Sequence, residues 1–292
     1  MDARPALSKA MPQTIDLISV IVTTYNRPPA LLACLRSLQD QLDRNFEILV
    51  ADDGSEQATR RLIEQEIKTS PIPIRHIWHE DKGFRAGTIR NKAAAAAAGG
   101  YLLFMDGDCI AFPGFIARHR LLAETGYFVP GNRLLLNAGG TEQVLSSGIA
   151  LHRQSVGFFM RLWLQRKLNR LLPLIYLPLQ RWRYFNPRRW QNAMTCNLAL
   201  WQADFLAVNG FDELFEGWGY EDSDLVIRLI HSGCKRKEGR FAAPVLHLWH
   251  PYNDRSQHDE NYRRLLERVA DPRIVVAQRG VSQYIAESAP DV

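Results

Sequence analysis

Between Gln143 and Ala203 the chain has no acidic residue, although its 292 residues include 31 Asp and Glu. Nine bases fall in that window, from Arg153 to Arg189. Without them the rest of the chain holds 27 bases against 31 acids. The formal charge of +5 therefore belongs to one segment, which calls for its own explanation. Cysteine is scarce: Cys34, Cys109, Cys196 and Cys234 form no close pair in sequence, which argues against a zinc site and a disulfide framework. No apolar run of 18 residues is present, and Met1–Thr14 has no apolar core of the kind a secretory leader needs. The expectation is a loose N-terminal tail and a cytoplasmic chain. No Gly/Ser linker divides the sequence and no internal repeat stands out. Hydrophobic residues make up 46% of the chain, enough for a sizeable core, and wholesale disorder is excluded.

An α/β alternation fills the first half. Leu17–Thr24 reads as a buried strand. Leu31, Leu32, Leu35 and Leu38 then recur at helical spacing. Phe46–Ala51 is a second strand, 56–68 a helix, Ile74–Trp78 a third strand and Thr88–Ala98 a helix. A fourth strand, Tyr101–Phe104, runs into Met105-Asp106-Gly107-Asp108. Strands that alternate with helices and end on polar residues predict a mostly parallel, doubly wound sheet. The second half is less regular. Asn197–Trp201 reads as a strand, 210–220 as a glycine- and aromatic-rich loop, Glu221–Ile230 as a helix, Val245–Trp249 as a strand and Asp259–Val269 as a polar helix.

In such a sheet the carboxyl ends of the strands open onto the ligand crevice. Asp106 and Asp108 at a strand end can hold a hard divalent ion, and the glycine between them lets a diphosphate approach the backbone. Taken alone, the pair also fits an ordinary surface turn. Cys109 follows directly and reads as a packing residue. Tyr25 offers a flat face at the first strand end, with Thr23 and Asn26 beside it. Arg85, Arg90 and Asn91 lie in the next strand-to-helix crossing, where a cation would meet phosphate. Glu221 and Asp222 open a helix, where the macrodipole favours ionised carboxylates; helix capping by an acid is the plainer reading.

Taken in order, Ile18–Arg27, Ile48–Ser55 and Asp106-Gly-Asp108 resemble the nucleotide-sugar half of the family 2 glycosyltransferases, of GT-A fold. Asn209-Gly-Phe-Asp212 and Gly217-Trp-Gly-Tyr-Glu-Asp222 resemble the acceptor half shared by chondroitin-polymerase-like bacterial enzymes and β-1,4-galactosyltransferases. The resemblance covers about 16–255, except 143–190. It implies that Asp53 meets uracil, while Asp52 could equally serve the turn. It also implies that Asp108 binds Mn²⁺ or Mg²⁺ and that Asp106 contacts ribose or the metal's water. His247 would be the third protein ligand, with His250 in reserve. Asp222 would be the catalytic base, Glu221 would orient the acceptor, and Trp218 would stack on its sugar. A single base and direct attack imply inversion at the anomeric carbon.

The division expected is a tail (1–14), a nucleotide-sugar half (15–142), a basic apolar insertion (143–192), an acceptor half (193–275) and a C-terminal tail (276–292). The insertion mixes aromatic, aliphatic and cationic residues, which suits either an anionic membrane surface or a lid over the acceptor cleft. No nucleic-acid module accompanies it, so no nucleic-acid partner is expected. The function expected is transfer from a UDP-sugar to a glycan or lipid-linked acceptor in bacterial surface polysaccharide synthesis, at the inner membrane face. The alternatives are a nucleotidyltransferase, which normally needs a basic Gly-rich phosphate loop that Tyr25–Pro29 does not supply, and a binding protein that has lost catalysis.

Overall fold

The computed structural model describes residues 15–251 and 255–285. The N-terminal tail (1–14) and the end of the C-terminal tail (286–292) lie outside the described residues. The first half runs β1 (Ile18–Thr24), α1 (Pro28–Gln39), β2 (Phe46–Asp52), α2 (Gln57–Thr69), β3 (Ile74–Trp78), α3 (Ala86–Ala96) and β4 (Tyr101–Asp106). It continues with β5 (Cys109–Ala111), α4 (Phe115–Leu122), β6 (Tyr127–Pro130), β7 (Asn132–Leu135), α5 (Ala138–Ser147) and α6 (Val156–Leu164). The remainder is β8 (Leu198–Trp201), α7 (Gln202–Ala207), α8 (Glu221–His231), β9 (Lys235–Arg236), β10 (Pro244–His247), α9 (His258–Ala270) and α10 (Ser282–Ile285).

Seven strands form the large sheet in the order β3-β2-β1-β4-β8-β6-β9. The first four are parallel. β8 runs against both its neighbours, β4 and β6, so it is the one inverted strand. The sheet has helices on both faces, which is why β1, β2 and β4 read as continuous apolar runs rather than alternating ones. Val20, Val22, Ile48 and Val50 pack against α1 and α2 on one face, while Ile21, Leu49, Ala51 and Phe104 pack against α3, α7 and α8 on the other. A second sheet, β5-β10-β7, lies beyond Asp108 and shares a core with α5 and α6.

Residues 276–285 are not a free tail. The Ala277 N–H donates to the Val208 carbonyl, the Val281 N–H to the Asn209 carbonyl, and Tyr284 Oη to Glu213 Oε2 at 3.0 Å. Val281 and Ala277 are buried, Val281 in the core beside α3 and α8, and backbone pairing adds to their anchoring. Val245–Trp249, expected as one strand, stops at His247. β5 and β7 end opposite it, and beyond that point the Leu248 N–H still donates to the Asp108 carbonyl.

Candidate active site

The crevice lies at the carboxyl ends of β1, β2, β4 and β10. Two turns are pinned before any ligand arrives. Asn26 sits at φ 47° and bridges two loops, its N–H donating to Ser55 Oγ and its Oδ1 accepting from the Glu56 N–H. Gly54 sits at φ 93°, and a Cβ there would fall 2.5 Å from Asp81 Cα, so no other residue fits without moving the loop. Asp52 serves the turn: it is fully buried, accepts from the Ser55 N–H at 2.8 Å and lies 2.9 Å from His76 Nε2.

Asp53 is buried beside it. One carboxylate oxygen lies 2.6 Å from His79 Nε2, and the other accepts from the Arg85 N–H at 2.9 Å. His79 was missed in the sequence, yet a signal existed. β2 and β3 are parallel with Asp52 opposite Trp78, so the next residues, Asp53 and His79, must leave the sheet side by side. Tyr25 is half exposed at the crevice mouth and donates through Oη to Asp81 at 2.9 Å, which fixes its ring.

Of the three polar residues expected at the β3–α3 crossing, one is central. Arg90 is buried, with Nε donating to Thr23 Oγ1 (3.0 Å), Nη2 to Asp106 (3.2 Å) and Nη1 to Glu221 (3.3 Å); Asp222 is 3.6 Å away. Burial pulls the guanidinium down, but the charges of Asp222, Asp106 and Glu221 outweigh it and hold its pKa above the ordinary value. Asn91 faces elsewhere. It is fully buried, with Oδ1 accepting from the Phe211 N–H and Nδ2 donating to the Phe211 carbonyl and Glu213. That corrects the donor-binding expectation: Asn91 spends both ends of its amide on Phe211 and Glu213, while Arg90, turned about 100° from it on α3, enters the crevice. Arg85 turns back toward the Glu80 carbonyl and joins the site through its backbone N–H instead.

Asp108 lies where β4 passes into β5. Oδ2 accepts from Arg27 Nη1 at 2.6 Å, and Arg27 Nη2 also donates to the Trp249 carbonyl. Oδ1 is buried with no hydrogen-bond partner. His247 ends β10 opposite Cys109, which places its Nε2 3.5 Å from Asp108 Oδ1. His250 Nε2 is 3.8 Å from Oδ2, but its Nδ1 is taken by the Pro251 carbonyl. Single ligand atoms of Asp106, Asp108, Cys109 and His247 lie within 4.8 Å of one another. Two carboxylates and an imidazole with an orphaned buried oxygen among them fit a hard divalent cation. Burial holds His247 below the ordinary histidine value, which keeps it neutral and able to ligate. Burial also pushes the Cys109 thiol well above its ordinary range, so it stays protonated and packs, as expected. Gly107 serves the chain itself: a Cβ there would meet the Thr23 carbonyl at 3.0 Å and Thr24 Cβ at 3.1 Å.

α8 delivers the acidic pair. Its N-cap is Tyr220 at φ 70°, so Glu221 and Asp222 stand in the first turn rather than capping it. Asp222 accepts from the Thr195 N–H (3.0 Å) and Thr195 Oγ1 (2.7 Å). No pattern in the sequence pointed to Thr195. Burial raises both carboxyls, Glu221 to about 7, where Asp222's charge adds to the effect; Arg90 pulls both back. The helix dipole was expected to favour the ionised forms, and desolvation wins over it. Trp218 stacks on His258 at 6.4 Å between ring centroids, with the Arg255 guanidinium 4.8 Å from its ring. A buried network holds this loop in place: Arg228 donates to Asp224 and to the Val208 and Gly210 carbonyls, and Arg268 to Asp224 and Asp212.

A large, mostly parallel sheet with helices on both faces and an acidic pair at a central strand end is a GT-A-like fold. The chain belongs to the family described as "Glycosyl transferase family 2", whose pattern matches residues 19–177. A second pattern, "N-terminal domain of galactosyltransferase", matches 179–251. The family match thus runs on through 143–177, which the sequence reading had set outside the resemblance. Validoxylamine A glucosyltransferase of Streptomyces hygroscopicus subsp. limoneus is 31% identical over 75% of this chain and 49% of its own length. Chondroitin synthase of Escherichia coli is 26% identical over 78% and 34%. The chain therefore spans half or less of these relatives. Among solved structures, S. aureus TarS 1-349 in complex with UDP superposes at TM-score 0.58, with 16% identity and 92% and 70% coverage. The mannosyltransferase PcManGT of Pyrobaculum calidifontis, in complex with GDP-Man and Mn2+, superposes at 0.54, with 17% identity and 91% and 67% coverage. At those identities the likeness shows the fold alone.

Proposed function

We propose that the chain is an inverting, divalent-ion-dependent glycosyltransferase that moves a sugar from a UDP-sugar to a glycan or lipid-linked acceptor in bacterial surface polysaccharide synthesis. The observation that carries this reading is Arg90. One buried guanidinium touches Thr23 and Asp106 on the donor side and Glu221 and Asp222 on the acceptor side, so both substrates meet around it. Asp53, oriented by His79 and the Arg85 N–H, accepts from a base N–H, and Tyr25 covers the base. Asp106, Asp108 and His247 would hold Mn²⁺ or Mg²⁺, whose bound charge offsets that developing on the departing diphosphate. Asp222, oriented by Thr195, takes the acceptor hydroxyl proton; burial raises its proton affinity, which suits a general base near neutral pH. Glu221 hydrogen-bonds the acceptor, and Trp218 packs against its ring. With Asp222 as the one base, the acceptor hydroxyl attacks directly and the anomeric configuration inverts. GDP-mannose in one fold neighbour makes the base a point for experiment, and Asp53 favours uracil.

The basic segment supports a place at the inner membrane face. Val156, Met160, Trp163 and Leu164 on α6 are 45–68% exposed, with Arg161 among them. Such a face suits an anionic bilayer surface. Incubation with a panel of UDP-, GDP- and CDP-sugars and Mn²⁺, with nucleotide release as the readout, tests the reaction. Release from none of them would sink it.

A further inference from the structure

A cavity of about 330 Å³ opens outside the crevice, between the turn Arg181–Tyr184 and the chain leaving β9. Its volume falls in the range of small-molecule sites. Leu179 and Phe241 give it an apolar wall. Trp182 and Phe185 stand at its mouth 70% and 73% exposed, with ring centroids 6.1 Å apart. Phe241 holds its place at φ 58°, a left-handed conformation that an aromatic residue keeps only where the surroundings enforce it.

The polar wall is cationic. Arg183 is buried and donates to the Leu177, Glu238 and Arg240 carbonyls. Arg236 is 5% exposed and donates to the Arg189 and Gln191 carbonyls and to Glu238, while its Nε–H is buried with no partner. Arg240 adds a third guanidinium, and Glu238 is the one acid, shared between Arg236 and Arg240. Arg183 and Arg236 turn their Nη–H groups to carbonyls and Glu238, which leaves the half-exposed Arg240 guanidinium and the Arg236 Nε–H as the donors beside an apolar floor. That combination calls for a ligand with an apolar body and an anionic head. A second cavity, of about 430 Å³, also borders Arg183 and is lined by Tyr176, Pro178 and the exposed Leu121 together with Arg118, Arg181 and Lys237. Gln191, whose carbonyl accepts from Arg236, is four residues before Thr195, which holds Asp222.

We infer that this cavity binds the isoprenoid-type chain and diphosphate head of an anionic lipid, so that the acceptor is presented as a lipid diphosphate. The inference rests on the lipid-linked acceptor reading above. The test is titration of the full chain with farnesyl diphosphate, followed by Trp fluorescence and calorimetry, with farnesol and inorganic diphosphate as the half-ligands and UDP as an independent reading of the donor site. Farnesyl diphosphate should bind saturably and survive excess UDP, and each half-ligand should bind at least ~10-fold more weakly. Trp182→Ala, Phe185→Ala and Arg240→Gln should each weaken farnesyl diphosphate ~10-fold while UDP affinity stays as in wild type. Displacement of farnesyl diphosphate by UDP, unchanged affinity in all three variants, or binding only to phosphatidylglycerol vesicles overturns the inference. Absence of UDP binding in the wild type would instead strike the donor reading, so the two failures are distinguishable.

Discussion

Arg90→Met removes the cation that Asp106, Glu221 and Asp222 share. In the native chain the guanidinium lies 3.2 Å from Asp106, 3.3 Å from Glu221 and 3.6 Å from Asp222, with its side chain 5% exposed. Removing one partner of a buried ion pair costs ~3–5 kcal/mol, because the charge left behind is uncompensated. For a domain of this size that corresponds to a fall in Tm on the order of 10 °C. The loss carries a pH signature. Glu221 already stands at about 7 against an ordinary 4.5, and Arg90 lowers both it and Asp222. Without Arg90 their folded pKa values rise further, so the folded state takes up protons that the unfolded state releases. Stability from that uptake is complete below the unfolded value near 4.5 and is lost as pH climbs through the folded one. The deficit against wild type should be widest at pH 8 and narrow toward pH 5. Urea unfolding of both proteins across that range measures it. A deficit independent of pH, or none at all, would refute the role given to Arg90.

Glu221→Gln removes the titration itself: relative to wild type it should gain stability between pH 5 and pH 8, by at most ~3 kcal/mol for a shift from 4.5 to about 7, and a constant difference in thermal scans would contradict the raised carboxyl. Asp108→Ala should abolish Mn²⁺-supported UDP binding in calorimetry, and binding equally tight in EDTA would move the ion elsewhere. His79→Gln keeps an N–H toward Asp53 and should preserve UDP affinity within a few-fold, whereas His79→Leu should weaken it ~10-fold, the scale of one lost hydrogen bond to a charged group. Equal affinities in the two would remove His79 from base recognition.

Much of the donor half was legible because β1, β2 and β4 are buried on both faces and end on Asn26, Asp53 and Asp106. Apolar runs that stop on polar residues leave few alternatives. β5, β6 and β7 were missed because each spans only three or four residues, too short for a period to register. The crossing residues Arg85, Arg90 and Asn91 were read as a group, and the structure separates them into a loop contact ahead of α3, a hub and a core anchor. Arg27 and Thr195 reach Asp108 and Asp222 across 81 and 27 residues of chain, and no local pattern announces such pairs. The dipole argument for an ionised Asp222 was sound in sign but ignored burial, which only the packed structure reveals.

The central claim is tested most directly by Asp222→Asn with the donor that wild type turns over. Loss of the proposed general base should slow transfer ~10²–10⁴-fold while UDP affinity stays within a few-fold of wild type, because the proposal puts this carboxylate on the acceptor side. Turnover near wild type would contradict the account.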